Sequence, residues 1–194
     1  MKAIFPKTIQ EQTVVIPGSK SISHRMLICA ALCQGRSVID NLLQSEDVLL
    51  TLSALKTMGA DIVSSGQDQY TVEGFNGAPD FKENEVYLSN SGTSMRLLTG
   101  ISALGTQAFT LTGNQRMCER PMIELLDALS QLGINARSEN TQGTPPVTIT
   151  GGDRSGGKIL MDCSKSSQYL SAMLMIAPFF KKGLDIHLVS EPVS

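Results

Sequence analysis

The stretch SNSGTSMRLLTGISALGTQAFTLTGN, residues 89–114, reads as one supersecondary unit. Ser89 and Ser91 open it, as small hydroxyl residues open helices whose first N–H groups need partners. An apolar helix follows, Gly105 breaks it, and the alternating AFTLT reads as a strand. The same order of features returns in SKSISHRMLICAALCQGRSVIDN (19–41) and SKSSQYLSAMLMIAPFFKKGLDIHLVS (164–190). A short strand-like run precedes each opening: TVVIP (13–17), EVYL (85–88) and KILMD (158–162). Recurrence in fixed order marks a fold built from repeats.

A second element follows the first two copies. LSALKTMGADIVSS (52–65) matches LDALSQLGINARSE (126–139), with Gly59 and Gly133 in register as helix C-caps before a returning strand. QYTVEGF (69–75) and PPVTITG (145–151) supply one more strand each, joined through the hairpin-type turns SSGQDQ (64–69) and NTQGTP (140–145). The unit is therefore βαβαββ. By that ruler the third copy is half present, and its apolar edge is expected to lack a cover.

A chain of 194 residues, 41% hydrophobic and 18% charged, can bury a sizeable core. No apolar run reaches the roughly 18 residues of a membrane span. The start MKAIFPKTIQ has too short an apolar core for a signal peptide, so the expectation is a cytoplasmic protein. A net charge of −2 and 5% aromatic residues offer neither a field nor a stacking platform for nucleic acid. The four cysteines lack disulfide-framework spacing and are expected as thiols. Cys29 and Cys33 read as small core residues rather than as metal ligands with His24.

Anion affinity must then come from local cations. Lys20 and Arg25 flank the first helix start, Arg96 follows the second, and Lys165 sits in the third. GNQRMCERPM (113–122) adds Arg116 and Arg120 before Pro121, expected as the first residue of a further helix. Helix N-termini with flanking cations suit a ligand carrying several anionic groups, phosphate plus carboxylate. A salt bridge to Glu119 or Glu124 is the competing use of either loop arginine. Gly92 serves either its turn or close ligand approach; spacing leaves both open. GSKS (18–21) is not a P-loop, because Ser19 stands where glycine must precede the lysine. SALK (53–56) lies mid-helix without a companion motif and reads as surface, and His24 and His187 lack metal-ligand spacing.

In order and at compatible spacing, PGSKSISHR (17–25), NSGTSMR (90–96), LTGNQRMCERP (111–121) and SKSSQYLSA (164–172) resemble the motifs of the 5-enolpyruvylshikimate-3-phosphate (EPSP) synthase family. The resemblance runs from about Ile16 to the last residue. It implies an α/β (α+β) fold, the inside-out barrel of enolpyruvyl transferases, with about two and a half of its βαβαββ units here. Residues 16–194 are then the shikimate-3-phosphate-binding domain, truncated in its third unit. Residues 1–15 belong with a second, C-terminal domain absent from this chain.

The implied reaction moves the enolpyruvyl group of phosphoenolpyruvate to the 5-hydroxyl of shikimate 3-phosphate, releasing phosphate, without metal or organic cofactor. Lys20 matches the family lysine that touches both substrates and is the candidate for proton transfer. Ser21 and Arg25 match contacts to shikimate 3-phosphate, and Ser166 and Ser167 match ligands of its phosphate. Gln168 matches a contact to both substrates. Gly92 and Arg120 match phosphoenolpyruvate contacts, Gly92 lying where the inhibitor glyphosate sits. Ser194 aligns with one more substrate serine. Asn90, Arg96 and Arg116 fall at motif positions read as supporting the contacts from behind. His24 stands where asparagine is common, and Leu97 where many members have proline.

The chain alone is expected to be inactive, since further contacts come from the second domain. Two other readings are a non-catalytic anion-binding module and a UDP-N-acetylglucosamine enolpyruvyl transferase. The latter's loop cysteine precedes an Arg-Pro pair, but Cys118 is misplaced for that role.

Overall fold

The structure, a computed structural model, describes residues 3, 5, 11 and 13–193. The first unit contains α1 (Lys20–Leu32), β1 (Gln34–Ile39), α2 (Glu46–Thr57), β2 (Asp61–Ser64) and β3 (Tyr70–Phe75). The second contains β4 (Glu85–Tyr87), α3 (Gly92–Ser102), β5 (Ala108–Thr112), α4 (Ile123–Gln131), β6 (Asn135–Ser138) and β7 (Val147–Thr150). The third contains β8 (Gly157–Met161), α5 (Gln168–Ile176), a 3₁₀ turn at Ala177–Phe179 and β9 (Leu184–Leu188).

In the second unit β4 and β5 run parallel with α3 as crossover, and β7 joins β5 and β6 antiparallel, giving the order β4-β5-β7-β6. The third unit repeats the crossover, β8 pairing parallel with β9 around α5. The first unit forms the order β1-β3-β2, all antiparallel. Gly59 (φ 104°) and Gly133 (φ 78°) end α2 and α4 in the left-handed region, which turns each chain into its return strand.

Helix α3 lies at the centre. All its residues are buried except Thr93 and Arg96. Gly100 lets α5 approach closely, for a Cβ there would stand 3.1 Å from both the Cβ and the carbonyl oxygen of Ala172. No helix among the described residues is long and apolar enough to cross a membrane.

Three expectations need correction. TVVIP forms no strand: residues 13–17 make no ladder, and Val14, Val15 and Ile16 are 76%, 88% and 74% exposed. With those side chains in water, the cross-strand burial that fixes a ladder is missing. Pro121 does not begin α4, which starts at Ile123 with Met122 as cap. The Pro121 carbonyl accepts from the Tyr169 hydroxyl (2.7 Å) and the Met122 N–H donates to Gly143 (2.9 Å), which holds both residues in the loop. Cys29 and Cys33 are exposed, on the one face of α1 that nothing among the described residues covers, whereas Cys163 is buried. All four cysteines are free. Most of residues 1–15, and Ser194, lie outside the described residues.

Candidate functional site

The starts of four helices face a common cleft of about 490 Å³. Lys20 contributes from α1, Glu46 and Asp47 from α2, and Gly92, Thr93 and Arg96 from α3. Ser89, Asn90 and Arg120 come from loops, and Gln168 from the start of α5. The caps of α1, α3 and α5 (Ser19, Ser91 and Ser167) make no side-chain capping bond to their own helices. Helix starts of this kind favour anions through unsatisfied N–H groups and the dipole.

The cations are held by neutral partners. Arg120 Nη2 donates to Asn90 Oδ1 (3.0 Å), and Arg96 Nη1 to Gln168 Oε1 (2.9 Å). Gln168 Nε2 in turn donates to Thr93 Oγ1 (3.1 Å). Neither guanidinium enters an ion pair among the described residues, so the competing salt bridges to Glu119 or Glu124 are not formed. Lys20 differs, donating to the Asp47 carboxylate.

Gly92 owes its place to crowding rather than to its turn. A Cβ would come within 2.5 Å of Arg120 Nη1 and 3.4 Å of Arg96 Nη1, and the residue needs no left-handed φ. The missing side chain is the space in which the two guanidiniums sit.

Beside the cleft, the remaining candidates gather where α1 meets α5. Arg25 donates from Nη2 to Ser171 Oγ (3.1 Å) and from Nη1 to the Ser21 carbonyl (3.1 Å). Ser171 reaches back to the Ser167 carbonyl (3.4 Å), and Ser166 Oγ accepts from the Gln168 N–H (3.2 Å). Lys20, Gly92, Arg120 and Gln168 thus line the cleft, while Ser21, Arg25, Ser166 and Ser167 border it. Ser194 is outside the described residues.

Asn90 and Arg96, expected behind the contacts, line the cleft themselves; Arg116 is exposed and does not. Asp47 was not legible as a site residue. Acids in a first helical turn are ordinary dipole partners, and only the fold brings α2 to α1. Ser171 has no sequence signal either.

Beneath the cleft runs a buried polar chain. His24 Nδ1 bonds Thr51 Oγ1 (2.8 Å), Thr51 Oγ1 bonds Ser94 Oγ (2.7 Å), and Ser94 Oγ bonds Ser91 Oγ (2.6 Å). It ties the starts of α1, α2 and α3 together and occupies the hydroxyl of Ser91, the residue before α3. Burial, with Lys20 and Arg25 adding repulsion, lowers the His24 pKa to about 4, so the ring is neutral near pH 7.

A sequence-family profile described as EPSP synthase (3-phosphoshikimate 1-carboxyvinyltransferase) matches residues 6–194. Among curated relatives, a 3-phosphoshikimate 1-carboxyvinyltransferase of Shewanella amazonensis is 44% identical over 183 residues, covering 93% of this chain and 43% of the relative. One from Tolumonas auensis is 43% identical over 188 residues, covering 95% and 44%. A solved EPSP synthase from Acinetobacter baumannii superposes with a TM-score of 0.80 at 31% identity, covering 93% of this chain and 41% of that one. The chain spans less than half the length of these relatives.

Proposed function

The chain belongs to the EPSP synthase family, and on that premise we propose that its cleft forms one wall of a site for enolpyruvyl transfer. The reaction joins the 5-hydroxyl of shikimate 3-phosphate to C2 of phosphoenolpyruvate, with protonation at C3. Loss of phosphate and of a C3 proton from the resulting tetrahedral adduct completes the exchange. Both substrates are polyanions, so catalysis requires fixed cations and a proton carrier.

The observation that carries this reading is the convergence of Lys20, Arg96, Arg120 and Gln168 from separate helix starts and a loop on one cleft. In it Arg120, in the space left by Gly92, holds phosphoenolpyruvate. Arg25, Ser21, Ser166 and Ser167, on the border between α1 and α5, hold shikimate 3-phosphate, with Ser194 as a further ligand. Gln168 touches both. Lys20 exchanges Asp47 for substrate anions and moves the proton. The partner is a second domain that closes over the cleft, with residues 1–15 belonging to it.

Calorimetric titration of the folded chain with shikimate 3-phosphate tests the reading. Binding that disappears in Lys20→Ala and in Ser167→Ala is expected. Unchanged affinity in both variants would sink it.

A further inference from the structure

Tyr169 is wholly buried, yet it touches both sides of the cleft. It follows Gln168 at the start of α5. Its hydroxyl crosses to the loop and donates to the Pro121 carbonyl (2.7 Å), one residue beyond Arg120. Its ring lies under the third cleft side chain, with the Arg96 guanidinium carbon 5.6 Å from the ring centroid. Arg96 Nε is buried without a hydrogen-bond partner, and the ring face beneath the guanidinium supports it there.

From this geometry we infer that Tyr169 is a positioning residue that fixes Arg96, Gln168 and Arg120 relative to one another. The three reach the cleft from α3, α5 and the loop before α4. Arg96 and Gln168 already share a hydrogen bond of 2.9 Å, but neither of them bonds Arg120. The phenol closes that gap: it pins the backbone beside Arg120 to the helix that carries Gln168. A phenylalanine fills the same space and keeps the face under Arg96, but releases the loop. The ring supports Arg96 from below, while the hydroxyl both holds the loop beside Arg120 and lies close enough to Arg96 to feel its charge.

The affinity consequence rests on the proposed role of Arg120; the positioning itself does not. The experiment compares the full chain with Tyr169→Phe. A control, Phe109→Leu, removes core volume at a residue stacked on Phe81 rather than on the cleft. Two quantities are read: affinity for phosphoenolpyruvate, and the side-chain Nε–Hε resonances of Arg96 and Arg120. Tyr169→Phe is expected to weaken phosphoenolpyruvate about fivefold, the effect of one lost hydrogen bond. It should move the Arg120 resonance, and that of Arg96 with it because the hydroxyl lies beside both, while Phe109→Leu alters neither readout. Unchanged affinity and resonances in Tyr169→Phe, or equal changes in the control, overturn the inference. If the parent chain does not bind phosphoenolpyruvate, Arg120 does not hold that ligand in the open cleft, and the resonances still decide. An Arg120 signal that moves in Tyr169→Phe sustains the positioning role, and one that stays refutes it.

Discussion

At Gly92 stability and binding pull in opposite directions. The position is the first residue of α3, where alanine is the better helix former by up to about 1 kcal/mol. The only atoms that a methyl group would crowd are the ends of two long side chains, Arg120 first. Gly92→Ala should therefore unfold no more easily than the parent in urea, while its affinity for phosphoenolpyruvate falls about tenfold. Parallel losses of stability and affinity would show that the glycine serves the backbone instead. His24 gives a second prediction at this scale. Its folded pKa of about 4 lies below the ordinary 6.5, so between those values the unfolded chain takes up a proton that the folded one refuses. Its contribution to stability is complete above pH 6.5, falls on acidification at up to about 1.4 kcal/mol per pH unit, and levels off near pH 4. Urea midpoints across that range should show the slope in the parent and not in His24→Asn.

Among the elements, the contact between α3 and α5 matters most, since each helix carries cleft residues at its start. Gly100 sets their distance, and a larger side chain must push against the Ala172 backbone rather than a flexible tip. Gly100→Val should cost roughly 2 kcal/mol and weaken ligand binding as well, because Arg96 and Gln168 separate with their helices. A thermal melt paired with a titration checks this, and unaltered binding in the destabilised variant would contradict it. The helices, return strands and glycine caps were legible because they follow period and punctuation: apolar stripes, alternation, and Gly59 and Gly133 in register. What was not legible depends on partners distant in the chain. TVVIP has the composition of a strand but no burying neighbour. Pro121 has the preference for a helix start but is held in the loop by Tyr169 and, through Met122, by Gly143. The site divides in the same way. Motif residues such as Lys20 and Arg120 stood out as cations at helix mouths, whereas Asp47 and Ser171 became visible only when α2 and α5 packed beside α1.

For the molecule as a whole, charge decides what this chain can do alone. Four cations at or beside the cleft, Lys20, Arg25, Arg96 and Arg120, face two acids, Glu46 and Asp47, leaving a surplus of two. Shikimate 3-phosphate and phosphoenolpyruvate each carry a phosphate and a carboxylate, together about five to six negative charges near neutral pH. The cleft can neutralise most of one ligand and not both. In a site open to solvent, the second anion then meets the first with little compensation. Shikimate 3-phosphate should therefore bind this chain by itself, with an affinity that drops as salt is added. Phosphoenolpyruvate should bind the saturated chain at least about tenfold more weakly than the empty one, the antagonism easing at high ionic strength. Turnover should be negligible for the same reason, because the reacting groups are not held together. Two titrations at two salt concentrations, with a phosphate-release assay on the same sample, measure all of this. Cooperative binding of the second ligand, or product formed without any partner, would mean that the cleft supplies positive charge beyond the four side chains identified, and that it needs no closing domain to hold both substrates.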